Sequence, residues 1–309
     1  MVVAYNRRDL LRESLDGLCA QSYPVAEIVV VDNASTDDSA AVARTHPAGV
    51  DLVRLETNTG GAGGFAVGIA RAIVEHEADV VWLMDDDTVP TPTALVELLN
   101  IRAALADRAR IFASRVVWTD GSDHPMNRPR RRWGAPASPY EDEWDIVPVR
   151  SASFVSMLVE ADAVRACGLP VVDYFIWNDD FEFSSRLLRN DVGYYCNRSV
   201  VIHKTKALGS TDADPGERFY FEVRNKIWLN RFSRPFGVLE GSLYLLSTVR
   251  RWVRTYRRSS DRPTILRAFR TGWHDGWASR PRANVEALSA APTGAGIVRV
   301  FEASARRRS

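Results

Sequence analysis

The segment VVWLMDDDTVP, residues 80–90, carries an apolar run straight into three consecutive carboxylates, Asp85, Asp86 and Asp87, and breaks at Pro90. A short apolar run with β-branched residues, bounded by a turn, reads as a strand buried on both faces. Adjacent carboxylates repel and resist desolvation, so such a strand seldom ends on three of them. Either the triplet is a solvated acidic turn, the more common fate of loop acids, or a cation belongs there. Three carboxylates at a strand end suit a hard divalent ion with oxygen ligands.

Upstream the same kind of strand recurs. MVVAY, AEIVVVD and VDLVRLE read as strands, and DLLRESLDGLCAQ, STDDSAAVART and GGFAVGIARAIVEHE as the helices between them. Uninterrupted apolar strands alternating with helices predict a parallel, Rossmann-like α/β half, with ligands gathered at the carboxyl ends of the strands. Asp32 and Asp85 both fall at such ends. Residues 119–150 lack periodicity and read as a long loop on a substrate rim. RSASFVSMLVE follows as a strand, and residues beyond Pro215 read as helices.

The chain has 309 residues, enough for one large domain or two, and a net charge of +1 that hides an asymmetry. From Arg224 onward there are 18 Lys/Arg against 5 Asp/Glu, while the first 223 residues carry a net charge of −12. A basic tail on an acidic body suggests an anionic partner, a membrane surface or phosphates. No nucleic-acid motif accompanies the charge, so nucleic acid is not an expected partner. Three separated cysteines without metal spacing fit a reducing compartment. No signal peptide and no spanning helix are expected.

Three further stretches carry chemistry. NTGGAGGF (residues 58–65) lets the backbone approach a ligand and then enter a helix, although a tight turn explains it equally well. FIWNDDFEF (residues 175–183) sets Asp179, Asp180 and Glu182 after aromatic residues. A carboxylate beside Trp177 would have a raised pKa suited to a general base, whereas acids at a helix start are favoured by the macrodipole anyway. VIHKT (residues 201–205) ends a strand on His203, which matters only if the fold brings it to Asp85 and Asp87.

In this order and spacing, the four features resemble the family 2 glycosyltransferases of the GT-A fold over roughly residues 1–230. The resemblance implies an α/β GT-A fold followed by a C-terminal helical, basic segment. It implies Tyr5, Arg7 and Asp32 at the nucleotide base. MDDD is similar to the family's metal motif, implying Asp85 and Asp87 as ligands of Mn²⁺ or Mg²⁺, Asp86 near the ribose or metal, and His203 as a further ligand. NDDFEF implies Asp180 as the base that deprotonates an acceptor hydroxyl, in a single displacement that inverts configuration. YFEVRNKIWL implies Arg224 and Asn225 on the phosphate or acceptor side.

The glycine loop, with Asn58, Gly60 and Gly61 on the donor side, looks closer to galactofuranosyltransferases than to rhamnosyltransferases. So does WNDD, with Trp177 ahead of the acids, and the resemblance implies Trp177, Asp179 and Glu182 on the acceptor side. The length resembles the short, initiating kind, with a few residues expected to be missing from the start. The implied partners are a nucleotide-sugar donor, best read as UDP-galactofuranose, and a polyprenyl-diphosphate-linked glycan acceptor. A dTDP-rhamnose enzyme and a non-catalytic glycan-binding module are the alternatives. The expected division is 1–215 catalytic (1–118 donor half, 119–215 acceptor half), 216–300 helical, and 301–309 a disordered tail. FGVLEGSLYLLSTVRRWVRTYRR (residues 236–258) has the pattern of a helix lying in a membrane interface, or of a core helix with a basic end. Peripheral contact with an anionic membrane, at the cytoplasmic face of the plasma membrane, is therefore expected.

Overall fold

A computed structural model describes residues 1–105, 109–129, 131–132, 134–135, 140–206, 208 and 214–306. Its first half runs β1 (Val2–Ala4), α1 (Arg8–Cys19), β2 (Val29–Asp32), α2 (Ser39–Thr45), β3 (Asp51–Arg54), α3 (Gly60–Glu75), β4 (Val80–Asp85), β5 (Thr88–Pro90), α4 (Ala94–Leu105) and β6 (Ile111–Val117). There follow α5 (Tyr140–Trp144), β7 (Ile146–Val149), β8 (Met157–Glu160), α6 (Ala161–Cys167), α7 (Asp179–Leu187) and β9 (Gly193–His203). The chain closes with α8 (Phe219–Trp228), α9 (Val238–Arg258), α10 (Arg262–Ala278), α11 (Asn284–Ala287) and α12 (Pro292–Arg306).

The strands form one mixed sheet in the order β3-β2-β1-β4-β8-β6-β9-β5, with β7 also on β9. The β3-β2-β1-β4 half is parallel, as the uninterrupted apolar runs predict. Alternation along each strand feeds two cores. Met1 and Val3 pack with α3 and α7 on one face, while Val2 and Ala4 pack with α1 and α4 on the other. Ala4 lies beside Asp32 and Val3 beside Asp85, so the carboxyl ends of β1, β2 and β4 share one edge. On the far side, antiparallel pairing sets Thr88 of β5 opposite His203 of β9. That register carries His203 to the residue next to Asp87.

Three expectations need correction. Residues 150–160 are not one strand: β8 begins only at Met157, because the Ala152 N–H and C=O both bond the Ser184 hydroxyl of α7 instead of a neighbouring strand (3.0 and 3.1 Å). Within the 119–150 loop, Tyr140–Trp144 is helical and Ile146–Val149 pairs with β9; residues 130, 133 and 136–139 lie outside the described residues. The tail predicted as disordered is helical through Arg306, and residues 307–309 lie outside the described residues. Ala295, Val298 and Phe301 of α12 enter the same core as Phe65 and Val67 of α3, so the C-terminal helix is stapled to the first half of the chain.

Among the other C-terminal helices, α8 packs on α10 through Val223 and Ile227. A Cβ at Gly272 would stand 2.6 Å from the Tyr220 carbonyl oxygen, so the small residue is what permits this approach. No described helix is long and apolar enough to cross a membrane.

Candidate active site

The acidic tip of β4 is held from both sides. Asp86 accepts the Tyr5 backbone N–H (2.9 Å) and Arg7 Nη1 (3.2 Å), and the same guanidinium nitrogen bonds Asp87. Asp86 and Asp87 are buried. Burial, then the charges of Asp87 and Asp86, drives the Asp85 carboxyl well above the usual range. Burial likewise lifts Asp86 to about 6, against the opposing pull of the Tyr5 N–H and Arg7. Arg7, expected at the nucleotide, is here the counter-charge of the acids. Tyr5 leaves its side chain exposed.

Ligand atoms of Asp85, Asp87 and His203 lie within 4.8 Å of one another. His203 Nε2 is 3.1 Å from Asp87 Oδ1, yet that buried oxygen has no hydrogen-bond partner. The other ring nitrogen, Nδ1, is 3.0 Å from Asn127 Oδ1, and Asn127 Nδ2 donates to Ser153 Oγ (3.2 Å), which fixes the amide. The ring is therefore oriented with Nδ1 towards Asn127 and Nε2 towards Asp87; burial would raise the Asp87 carboxyl, but His203 and Arg7 hold it below the usual range. Two carboxylates and an imidazole gathered on one point, with the imidazole oriented by an outer amide, form a donor set that fits a divalent cation. Asn127 was not anticipated from the sequence, since nothing local marks an asparagine in a loop as the orienter of a distant histidine.

At the neighbouring strand end, Asp32 is buried, accepting the Ser35 N–H (3.2 Å) and pairing with Arg54 (3.3 Å). Asn33 ties this edge to the glycine loop: its amide donates to the Gly60 carbonyl (2.9 Å) and accepts the Thr59 N–H (2.8 Å). It too was missed, although it directly follows Asp32. Asn58 turns inward to its own loop, accepting the Gly60 N–H at 2.8 Å. Gly60 has φ +72°, and a Cβ there would stand 2.0 Å from the Phe175 carbonyl oxygen. A Cβ at Gly61 would lie 3.3 Å from Asp179 Oδ2. The glycine loop thus abuts the second acidic cluster.

That cluster follows a strained segment. Phe175, Trp177 and Asn178 all have positive φ (62°, 67° and 62°), an uncommon state for non-glycine residues and a costly one for bulky side chains. Helix α8 holds them in it. Asn225 Nδ2 donates to the carbonyls of Tyr174 (3.0 Å), Ile176 (3.1 Å) and Trp177 (2.7 Å). Arg224 donates to the Asp173 and Tyr174 carbonyls and stacks on Trp228, and Asn178 donates to Glu222 (2.7 Å). Arg224 and Asn225, expected to face phosphate or acceptor, are instead spent on the backbone that delivers the acids.

Burial, then the charge of Asp180, pushes Asp179 up to about 8. Burial lifts Asp180 to about 6, with the Phe181 N–H and then Lys226 opposing. Asp179 also raises Asp85, so its field links the two clusters. Glu182 does not belong with them. It is fully buried, bonded by Arg186 (2.6 and 3.1 Å) and Ser233 (2.7 Å), which removes it from the acceptor side assigned above.

The model of glycosyl transferase family 2 matches residues 1–167, just over half the chain. This chain is a family 2 glycosyltransferase. It is 30% identical to the galactofuranosyltransferase GlfT1 of Mycolicibacterium smegmatis over 212 residues, 66% of this chain and 69% of the relative. It is 31% identical to GlfT1 of Mycobacterium tuberculosis over 245 residues, 73% of this chain and 79% of the relative. Two solved structures at 15% identity share the GT-A fold. GalNAc-T7, solved with UDP, GalNAc and Mn²⁺, has a TM-score of 0.54 over 76% of this chain. Staphylococcus aureus TarS has a TM-score of 0.61 over 99%. The glycosyltransferase spans about half the length of each of these two, 50% and 53%.

Proposed function

We propose that this glycosyltransferase moves galactofuranose from UDP-galactofuranose to a hydroxyl of a glycan carried on a polyprenyl diphosphate. It would work with inversion, at the cytoplasmic face of the plasma membrane, in building the cell envelope. The observation that carries the chemistry is the gathering of Asp85, Asp87 and His203 on one point, with Asp179 near enough for its charge to act on Asp85. The mycobacterial relatives, both galactofuranosyltransferases, support the sugar.

Asp85, Asp87 and His203 would hold Mn²⁺ or Mg²⁺, which when bound supplies positive charge to the departing diphosphate. The chain does the rest. Gly60 and Gly61 let the donor-side loop close against Phe175 and Asp179, and Asp32, next to Ala4 and the exposed Tyr5, takes the nucleotide end. The paired carboxyls divide the proton work because their environments set them apart. At neutral pH, Asp180, at about 6, is mostly ionised and accepts the proton of the acceptor hydroxyl. Asp179, at about 8, keeps its proton and can donate a hydrogen bond. As the proton passes to Asp180, the acceptor oxygen bonds to the anomeric carbon and the bond from that carbon to the diphosphate oxygen breaks. No covalent enzyme intermediate is required.

Purified enzyme offered UDP-galactofuranose, UDP-galactopyranose and dTDP-rhamnose, with lipid extract as acceptor, tests the reading. Transfer from UDP-galactofuranose alone is expected. Preference for dTDP-rhamnose would reassign the sugar, and binding of UDP without transfer from any donor would leave a binding module.

A further inference from the structure

Helix α9 turns its apolar residues outward. Val238, Leu239, Leu243, Leu246, Val249 and Val253 are 45–92% exposed, and at about 100° per residue they share one half of the helical circumference. The other half is the one that packs. Thr248 and Trp252 are buried there, and Tyr244 stacks on Phe181 with ring centroids 5.1 Å apart. Phe181 directly follows Asp180, and Lys226, whose charge acts on Asp180, bonds the Tyr244 hydroxyl. A single helix therefore has the proposed base on one side and a bare apolar surface on the other. On the adjoining α10, Trp273 and Trp277 are 46% and 53% exposed, with Trp273 in edge contact with Trp252.

Charge selects the occupant. From Arg250 to Arg258 the helix carries five arginines and no acid. Its one acid, Glu240, is paired with Arg150 at 3.1 Å. An anionic leaflet answers both the apolar surface and the charge, each cationic residue near it adding roughly fivefold to binding.

We propose that the outward face of α9, with its arginines and the α10 tryptophans, docks the protein on an anionic bilayer. The docked helix then holds the Asp180 side of the site one helix diameter, roughly 10 Å, from an acceptor held in that bilayer. This second half rests on the lipid-linked acceptor proposed above.

The test is flotation of the full chain with phosphatidylcholine vesicles, with and without phosphatidylglycerol. Binding is expected only to the anionic vesicles. The double variant L239E/L246E, at positions 61% and 68% exposed, is expected to lower partitioning on the order of 10²-fold with an unchanged melting temperature. UDP affinity should be unaffected, while transfer to a vesicle-borne acceptor falls in step with binding. Wild-type protein that ignores anionic vesicles, or a double variant that floats like wild type, overturns the docking surface. So does a concentration-dependent dimer that the double variant dissolves. Vesicle binding as expected, with transfer in vesicles unaffected by its loss, overturns the second half alone.

Discussion

Replacing Asn225 by alanine separates positioning from binding. Its amide shares two N–H groups among three carbonyls of the loop that precedes Asp179 and Asp180, the acids proposed to handle the proton, at 2.7, 3.0 and 3.1 Å. Each such bond contributes ~1 kcal/mol net, and a carbonyl left stranded in a buried site costs ~1–3 kcal/mol. About 2–4 kcal/mol of restraint is therefore lost. Against it stand three residues with positive φ, each storing ~1–3 kcal/mol that relaxation would release. The loop has every reason to move, and Asp179 and Asp180 move with it.

At 1.4 kcal/mol per factor of ten, loss of ~3 kcal/mol depopulates the productive arrangement ~10²-fold. The expected result is kcat down by ~10², with UDP affinity within threefold of wild type, because the residues assigned to the nucleotide and metal lie on other elements. Melting should fall by only several degrees, at ~2–4 °C per kcal/mol for a chain of a few hundred residues. Asn225→Asp keeps the shape but replaces the donors with a charge facing carbonyls. It should be at least as impaired at neutral pH and recover partly on acidification, as the carboxyl regains a proton to donate. Steady-state kinetics and calorimetry decide. Near-normal kcat in Asn225→Ala, or equal losses in kcat and UDP affinity, would mean that Asn225 does not act by positioning the acids.

Asp180→Asn should cut kcat by ~10²–10⁴ while donor binding persists, and near-normal turnover would remove Asp180 from the proton transfer. The rate should rise with pH through about 6, as Asp180 ionises, and a rate flat across that range would argue for another base. Chelation should abolish transfer, with Mn²⁺ or Mg²⁺ restoring it, and Asp87→Asn should weaken Mn²⁺ binding measured directly by calorimetry; full activity in chelator would end the metal assignment. The folded-state pKa values of Asp179 and Asp180 are raised above the ordinary 3.8, so the stability these protons contribute is full below about 3.8 and lost as pH rises through about 6 and about 8. Asp179→Asn should therefore melt above wild type at about pH 8 and not at about pH 4, and equal shifts at both would contradict the burial argument.

What could be read from the sequence and what could not divide along a physical line. The parallel half was legible because each strand writes both of its buried faces as one continuous apolar run. The acidic tip was legible because its three carboxylates are neighbours in the chain. His203 joins that tip only through the pairing of β5 with β9, a register that no local pattern encodes, so residues alone left it a packed imidazole and resemblance alone linked it to the metal. Asn33 and Asn225, both buried, bind backbone, and the half-buried Asn127 binds a distant ring; a side chain that satisfies remote polar groups has no periodicity to betray it. Glu182 shows the converse. In the first turn of α7 it looks the same as Asp179 and Asp180, and only its pairing with Arg186 and Ser233 separates an acid that holds the fold from the two proposed to handle the proton. The backbone contacts of Arg224 and Asn225 escaped the sequence for a related reason. A conformation as costly as three positive-φ residues needs donors fixed on a neighbouring element, and these two are the ones that α8 supplies.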